Sequence, residues 1–417
     1  MNKKHILNWE KVVYQGFKNN NNICAWSMKK YDKHIYIGTL NFKDGCQLFR
    51  SSTGDKSTWQ QVNINGFDEK YPSTGIRTLI EYKKLLWAVT LSSEHGTQVW
   101  VTNGKVDKKN KILFWKKVNL NGFGLGTEIH GSRAMTIFND RLYIGTQCKK
   151  GIPRIYRYDG NTDFNKLQPE KWTWINKEWN ENTKKIPDFS VIGKLTNYKE
   201  KNGKEYIYTS IYSEVVPIIN RLKKKFRLKE LFKILFFFFT PNCQILRYDG
   251  KKWETISKKG FGKTNILAMS SIVFDNNVYF GTSNLFGAEL WKSNKGLNWK
   301  RVIKRGFNVP FNISIWRMHI YKDRLVIGMQ NQFLGCQIWA SKNKKFKNKN
   351  DFIQIAPTGM KNKIQINPLK IKQDGIRTFE TFNNNLYIGT ASDMNIIFYN
   401  KKGPGCEIWR TKDNIIL

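Results

Sequence analysis

Apolar runs of four to six residues recur along the whole chain, rich in β-branched and aromatic side chains and bounded by Gly, Asn or Ser. Runs of that length and composition predict short strands joined by tight turns. The clearest copy spans 278–307: VYFGT, a short polar loop, GAELWKS, the turn NKG, then NWKRVIKRGF. Another strand-sized run, SSIVF at 270–274, stands just before it, so one unit supplies four strands. The second-strand signal, LYIGT-like, ends at Thr39, Thr90, Thr146, Thr209, Thr282, Met329 and Thr390. The third begins at Cys46, Thr97, Pro153, Cys243, Ala288, Cys336 and Cys406. The fourth opens on Trp9, Trp59, Trp115, Trp172, Trp253, Trp299 and Phe352, and in all but the Trp172 copy a Gly follows seven residues later.

The order of these signals says how the array ends. The chain starts with a fourth-strand signal (Trp9 to Gly16-Phe17) and stops after a third-strand signal at Cys406. Two incomplete units at opposite ends make one complete unit if the array closes into a ring, which removes the open sheet edges. Four-stranded units arranged radially form a β-propeller. An open solenoid needs polar capping repeats, and none is visible. The expectation is an all-β fold: a seven-bladed β-propeller of four-stranded antiparallel blades, the last blade closed by the N-terminal strand, over one domain spanning 1–417. The second-strand signals lie about 58 residues apart on average, above the roughly 40–50 of common propeller repeats, so several loops must be enlarged.

The turns before the fourth strands carry a further signal. One reads Ser51-Ser-Thr-Gly-Asp-Lys-Ser-Thr-Trp59, another Ser293-Asn-Lys-Gly-Leu-Asn-Trp299, and Tyr-Asp-Gly stands at 158–160 and 248–250. This resembles, in degenerate and often shortened form, the Asp-box turn of BNR, sialidase-like propellers. Asp or Asn and Gly hold such a turn by side-chain hydrogen bonds and positive φ. In that family the box lies away from the active site, so the resemblance implies the fold and not an activity.

Composition changes the picture in two ways. The net charge of +39 comes mostly from Lys spread along the chain, which favours anionic partners. Nonspecific nucleic-acid binding is among the expectations, with an affinity that falls steeply with salt. Abundant Lys, Asn and Ile also fit a genome whose base composition favours A and T. Four of the six cysteines (Cys46, Cys243, Cys336, Cys406) share one repeat position, which puts them in different blades and too far apart for disulfides. They read as small buried apolar side chains in a reducing compartment. With no CxxC and only five His, no metal site and no cofactor are expected. No signal peptide or spanning segment is recognisable, so the chain reads as cytoplasmic, with a peripheral membrane contact as a further option.

That option comes from the fourth unit. Between its second and third strands, 214–241 form an insertion free of Gly and Pro from Ile218 to Phe239. Apolar positions at helical spacing alternate with Arg and Lys, which predicts a basic amphipathic helix. Arg221, Lys224, Lys225, Phe226, Phe232, Phe236 and Phe237 would either meet a membrane surface or partner groove, or pack down on the propeller's own face. The long stretches 360–375 and 391–405 leave the fold at the same face as this insertion.

Counting thirteen residues back from the end of each second strand except the fourth, which does not align, gives Trp26, Arg77, Arg133, Met269, Trp316 and Arg377, with Arg317 beside Trp316. The first strand is innermost in a propeller, so these residues should line the mouth of the central channel. Arg forks suit a carboxylate, phosphate or acidic sugar, and Trp stacks on sugar faces. The alternative is that the arginines only bridge neighbouring blades. Sialidases also bring three Arg to a carboxylate, but they have six blades and need a Tyr/Glu pair and a separate acid. Here Glu128 and Asp374 are acidic candidates by loop position alone. The polar residues after the third-strand start (Gln47, Gln98, Arg154, Gln244, Glu289, Gln337, Glu407) read as structural. The leading expectation is a non-catalytic binding platform for an anionic or membrane-associated partner, and the alternative is a glycan-active enzyme, a sialidase-like hydrolase or propeller lyase.

Overall fold

Asn, Asp and Lys pairs between the first and second apolar runs set the local geometry. Asn139-Asp140, Asp275-Asn276 and Asn383-Asn384 each place two residues at φ near +50°, the backbone of the tight hairpin turns whose twist matches that of the strands. The structure, a computed structural model, describes residues 7–107, 109, 111–179, 190–200, 203–214, 232, 238–361, 373–392 and 403–412. Those residues are nearly all β-strand and turn, with a few short helical turns.

The strands form antiparallel meanders. Cys24–Tyr31, His34–Leu40, Leu48–Ser51 and Gln60–Gln61 pair in sequence order. The same order starts again at Gly75–Tyr82, Ile129–Phe138, Leu267–Phe274, Ser314–Tyr321 and Gly375–Phe382. Single bridges link one meander to the next at Leu40↔Gly75, Ser283↔Ser314 and Gln330↔Gly375. The two ends of the chain meet: Trp9–Val13 pairs antiparallel with Ile408–Thr411, and Cys24 bridges to Ala391. The N-terminal strand thus completes the sheet that the C-terminal strands begin.

The fourth meander departs from the pattern. Its inner strand is broken into Ser190–Ile192 and Thr196–Lys199, both paired with Glu205–Ser213. The insertion predicted at 214–241 falls almost wholly outside the described residues, including Arg221, Lys224, Lys225, Phe226, Phe236 and Phe237. Phe232 is exposed.

Aromatic side chains lock neighbouring meanders together. The Gly-Phe pairs at 16–17, 122–123, 260–261 and 306–307 all have positive φ, a turn that Gly accepts at little cost. The turn aims each Phe across the seam. Phe17 stacks on Phe49, Phe123 on Tyr156, Phe261 on Trp291 and Phe307 on Trp339, at 3.9–4.9 Å between centroids. Each also meets edge-on the aromatic that opens the next fourth strand, as Phe261 does Trp299. The indole N–H groups of Trp115, Trp172, Trp299 and Trp9 donate back across the seam to carbonyls of Val62, Val118, Ile256 and Ile355.

The repeated polar position after the third-strand start belongs to the same seams. Gln47, Glu289 and Gln337 accept from Asn22, Asn265 and Asn312, and each Asn also donates to a Gly carbonyl of the preceding meander. All six cysteines are buried and none is in a disulfide, and burial pushes the Cys243 thiol up to about 12.

Candidate functional site

The inner strands carry a common irregularity. Their ladders with the second strands shift register between Ala25 and Ser27, Ile76 and Thr78, Ser132 and Ala134, Leu267 and Ser270, Ile315 and Arg317, and Ile376 and Thr378. The residues inside those shifts include Trp26, Arg77, Arg133, Met269, Trp316 and Arg377. Each is a β-bulge residue, freed from the ladder and turned out of the strand's alternation. In the fourth meander the corresponding break is wider, between Ile192 and Thr196, and it holds Lys194.

The bulges bring distant residues together. Arg133 Nη1 lies 3.8 Å from Met269 Sδ, and its Nη2 pairs with the carboxylate of Glu214. Gln147 donates to the other oxygen of Glu214 and accepts from Arg77 Nη1 at 3.1 Å. Arg317 Nη1 donates to the Trp316 carbonyl at 3.0 Å. The two tryptophans are supports. The Arg77 guanidinium lies 4.1 Å from the Trp26 ring centroid, and that of Arg377 3.6 Å from Trp316. Gly75 and Gly375 abut these same rings, where a Cβ would collide with ring carbons. The Gly of each Gly-Ile-Arg run is therefore required for the preceding Trp to slide beneath the Arg.

The electrostatics are lopsided. Arg77 is only 9% exposed. Burial and the neighbouring Arg133 and Arg377 push its ionisation down, against Glu214. Burial, then Arg377 and Arg133, lower Arg317 to about 10. Burial and Arg317 lower Lys194 to about 8. Burial favours the neutral form of Glu214, but Arg133, Arg77 and His130 together hold its carboxyl below the usual range. Burial takes His130 to about 4, so it is neutral near pH 7. Arg77 Nε, Arg133 Nε, His130 Nδ1 and the Tyr212 hydroxyl are buried without hydrogen-bond partners among the described residues.

Sequence spacing located the bulges but missed Glu214, Gln147 and Lys194. Gln147 is the next-to-last residue of the second strand Arg141–Cys148 and Glu214 directly follows the second strand Glu205–Ser213, and that place at the strand end was the available signal. Trp26 and Trp316, 5% and 3% exposed, offer no free ring face for a sugar. Among the described residues no hydrogen bond or ion pair places Glu128 with Arg77 or Arg133; its carbonyl accepts from the Lys149 backbone. Asp374 is buried in the loop before Gly375, its backbone joined to Asn331 and Ala391. Among the described residues no group of His, Cys, Asp and Glu could hold a metal ion, and no helix is long and apolar enough to cross a membrane.

No protein-family model matches the chain, and no curated protein sequence does. Among solved structures, YCF48 from Cyanidioschyzon merolae aligns over 97% of this chain and 98% of its own, at 8% identity and a TM-score of 0.52. The polysaccharide lyase Uly1 aligns over 98% and 92%, at 10% identity and a TM-score of 0.49. At such identity a likeness concerns architecture alone. With the antiparallel meanders and their end-to-end closure, the likeness to YCF48 gives the chain a β-propeller-like fold.

Proposed function

We propose that the chain is a seven-bladed propeller with degenerate Asp-box-like turns that serves as a non-catalytic binding platform for an anionic partner. The blade count rests on the seven copies of the four-strand order, the last of them completed by Trp9–Val13. The Asp-box reading draws support from Ser51 Oγ, which accepts from the Gly54 backbone at 2.7 Å, and from Asp249, which accepts from Lys251 and Lys252.

One observation carries the functional reading: Arg77 and Arg133, buried on separate inner strands, share the carboxylate of Glu214, and Arg317 and Lys194 extend the same cationic cluster among the described residues. Buried charge is costly unless paired, so this excess favours an anion from outside. The surrounding face adds apolar contact. Phe42, Phe286 and Phe311 are exposed in loops that leave the same end as the bulges, and Phe239 meets Phe286 while Phe311 meets Phe333. A membrane-associated partner, held there and by the basic insertion with Phe232, fits that surface. The test is thermal unfolding against a panel of carboxylate, sulfate and phosphate salts at constant ionic strength. The unmodified chain should gain stability from at least one anion, and R77Q and R133Q should lose the response. An equal response in all three proteins would refute the assignment.

A second reading has its own observation. Tyr212 and Glu214 stand two residues apart beside Arg77 and Arg133 and are electrostatically coupled, the residue types a sialidase-like hydrolase uses. Against it, Glu214 is engaged by Arg133 and Gln147, and the Tyr212 hydroxyl has no hydrogen bond to it. Hydrolysis of a fluorogenic sialoside that disappears in Y212F would favour the enzyme.

A further inference from the structure

We infer that the inner arginine cluster is a site for a multiply charged phosphoryl-type oxyanion, with Glu214 as the internal counter-ion it competes against. This deepens the anion-binding reading above and rests on it.

Charge count is the first argument. Even without Arg377, Arg133 pairs with the Glu214 carboxylate and Arg77 reaches it through Gln147, while Arg317 beside Arg133 and Lys194 beside Arg317 add cations that Glu214 does not pair with among the described residues. A sugar carboxylate brings one negative charge and leaves most of that excess in place. A phosphoryl group brings about two, and pyrophosphate more.

Donor chemistry is the second argument. The buried polar atoms left over at the cluster include Arg77 Nε–H, Arg133 Nε–H and the Tyr212 hydroxyl. Such donors match a ligand made of acceptor oxygens, and Arg forks bind phosphate oxygens bidentately. A sugar would bring hydroxyl donors of its own and gain little from them here.

The tryptophans give the third. An acidic sugar is normally bound through an apolar ring face as well as its carboxylate. Trp26 and Trp316 have spent their rings on Arg77 and Arg377 and on the glycines beneath. The aromatic groups therefore stiffen the arginines, which reduces the ordering cost of binding.

Glu214 then has a defined role. It neutralises Arg133 while the site is empty, and it repels an arriving anion. The full chain is titrated calorimetrically with inorganic pyrophosphate, orthophosphate and glucuronate at matched ionic strength and pH 7.5. The expected order is pyrophosphate tightest, with glucuronate at least about tenfold weaker. E214Q should bind pyrophosphate at least about tenfold tighter than the unmodified chain, and R77Q at least about tenfold weaker. Glucuronate binding as tightly as pyrophosphate would overturn the phosphoryl assignment while leaving an anion site standing. Binding of none of the three would overturn both. If E214Q does not fold, the order of the three ligands on the unmodified chain still decides. Unchanged pyrophosphate affinity in a folded E214Q would remove the counter-ion role.

Discussion

Acidification from pH 7 to pH 5 should destabilise this protein through two histidines that the fold keeps neutral. His130 and His319 both ionise at about 4 in the folded chain, against an ordinary value of 6.5. Burial is the main cause in each. Around His130, Arg77, Lys149 and Arg133 add to it and Glu214 opposes; around His319, Lys194 and Lys29 add to it. A base whose folded value is depressed gives stability that is complete above 6.5 and lost as the pH falls toward 4. Linkage sets the loss at about 2 kcal/mol per histidine between pH 7 and pH 5, or about 4 kcal/mol for the pair.

The competing titrations fall elsewhere or cancel. Glu214 is held below the usual carboxylate range, so its contribution is lost only at more acid pH. Burial raises Glu380, with Lys29 and Lys30 opposing; that group works in the opposite direction, equally in both proteins compared. The assay is urea unfolding of the unmodified chain and of an H130Q/H319Q variant at pH 7 and pH 5. The unmodified chain should lose about 4 kcal/mol more than the variant over that interval. Equal pH dependence in the two proteins would show that these histidines are not buried in the neutral form, and the argument would fail.

Gly375→Ala puts a methyl group into the Trp316 ring and should cost about 1–3 kcal/mol or more by overpacking. Urea unfolding checks it, and in combination with Trp316→Ala the two losses should fall well short of adding. Deleting residues 1–13 removes the strand that pairs with Ile408–Thr411 and exposes that edge; size-exclusion chromatography should show self-association absent from the full chain. Trp299→Phe keeps the ring against Phe261 but loses the indole bond to the Ile256 carbonyl, a loss of about 1 kcal/mol in denaturant unfolding.

The repeat was legible because every unit carries its own copy of the same local instructions. A run such as Val278 to Thr282 specifies a strand wherever it occurs, and its recurrence along the chain marks the period against loop variation. The bulge residues were legible by counting because the hairpin between first and second strands keeps a constant length. The loop has two residues and the inner strand one extra, so thirteen steps back from Thr39, Thr90, Thr146, Thr282, Met329 or Thr390 reach the same place. Counting failed where the chain breaks that rule. Gly193 and Leu195 widen the break in the fourth inner strand, which hid Lys194, and Glu214 sits beyond a second strand that runs longer than its counterparts. The packing of Trp26 and Trp316 under the arginines was hidden for another reason. Their rings are covered by Arg77 and Arg377 from the next unit, and spacing along one unit says nothing about what crosses a seam.

The identity of the inner cations sets them apart from the chain's general excess of lysine. Lys outnumbers Arg severalfold in this chain, so a basic residue placed without constraint would be Lys. Three of the bulges carry Arg, and Arg317 adjoins a fourth. The exception shows what Lys would cost there: burial and Arg317 bring Lys194 to about 8, within reach of losing its proton near neutral pH. Arginine starts from a far higher value and keeps its charge under the same burial. Its guanidinium also sits over indole, as that of Arg77 does over Trp26 and that of Arg377 over Trp316, where a lysine would bring only a point charge. A surface charge of compositional origin requires neither permanence nor orientation. Cations that are buried, permanently charged and braced by tryptophan are what fixed recognition of an anion requires.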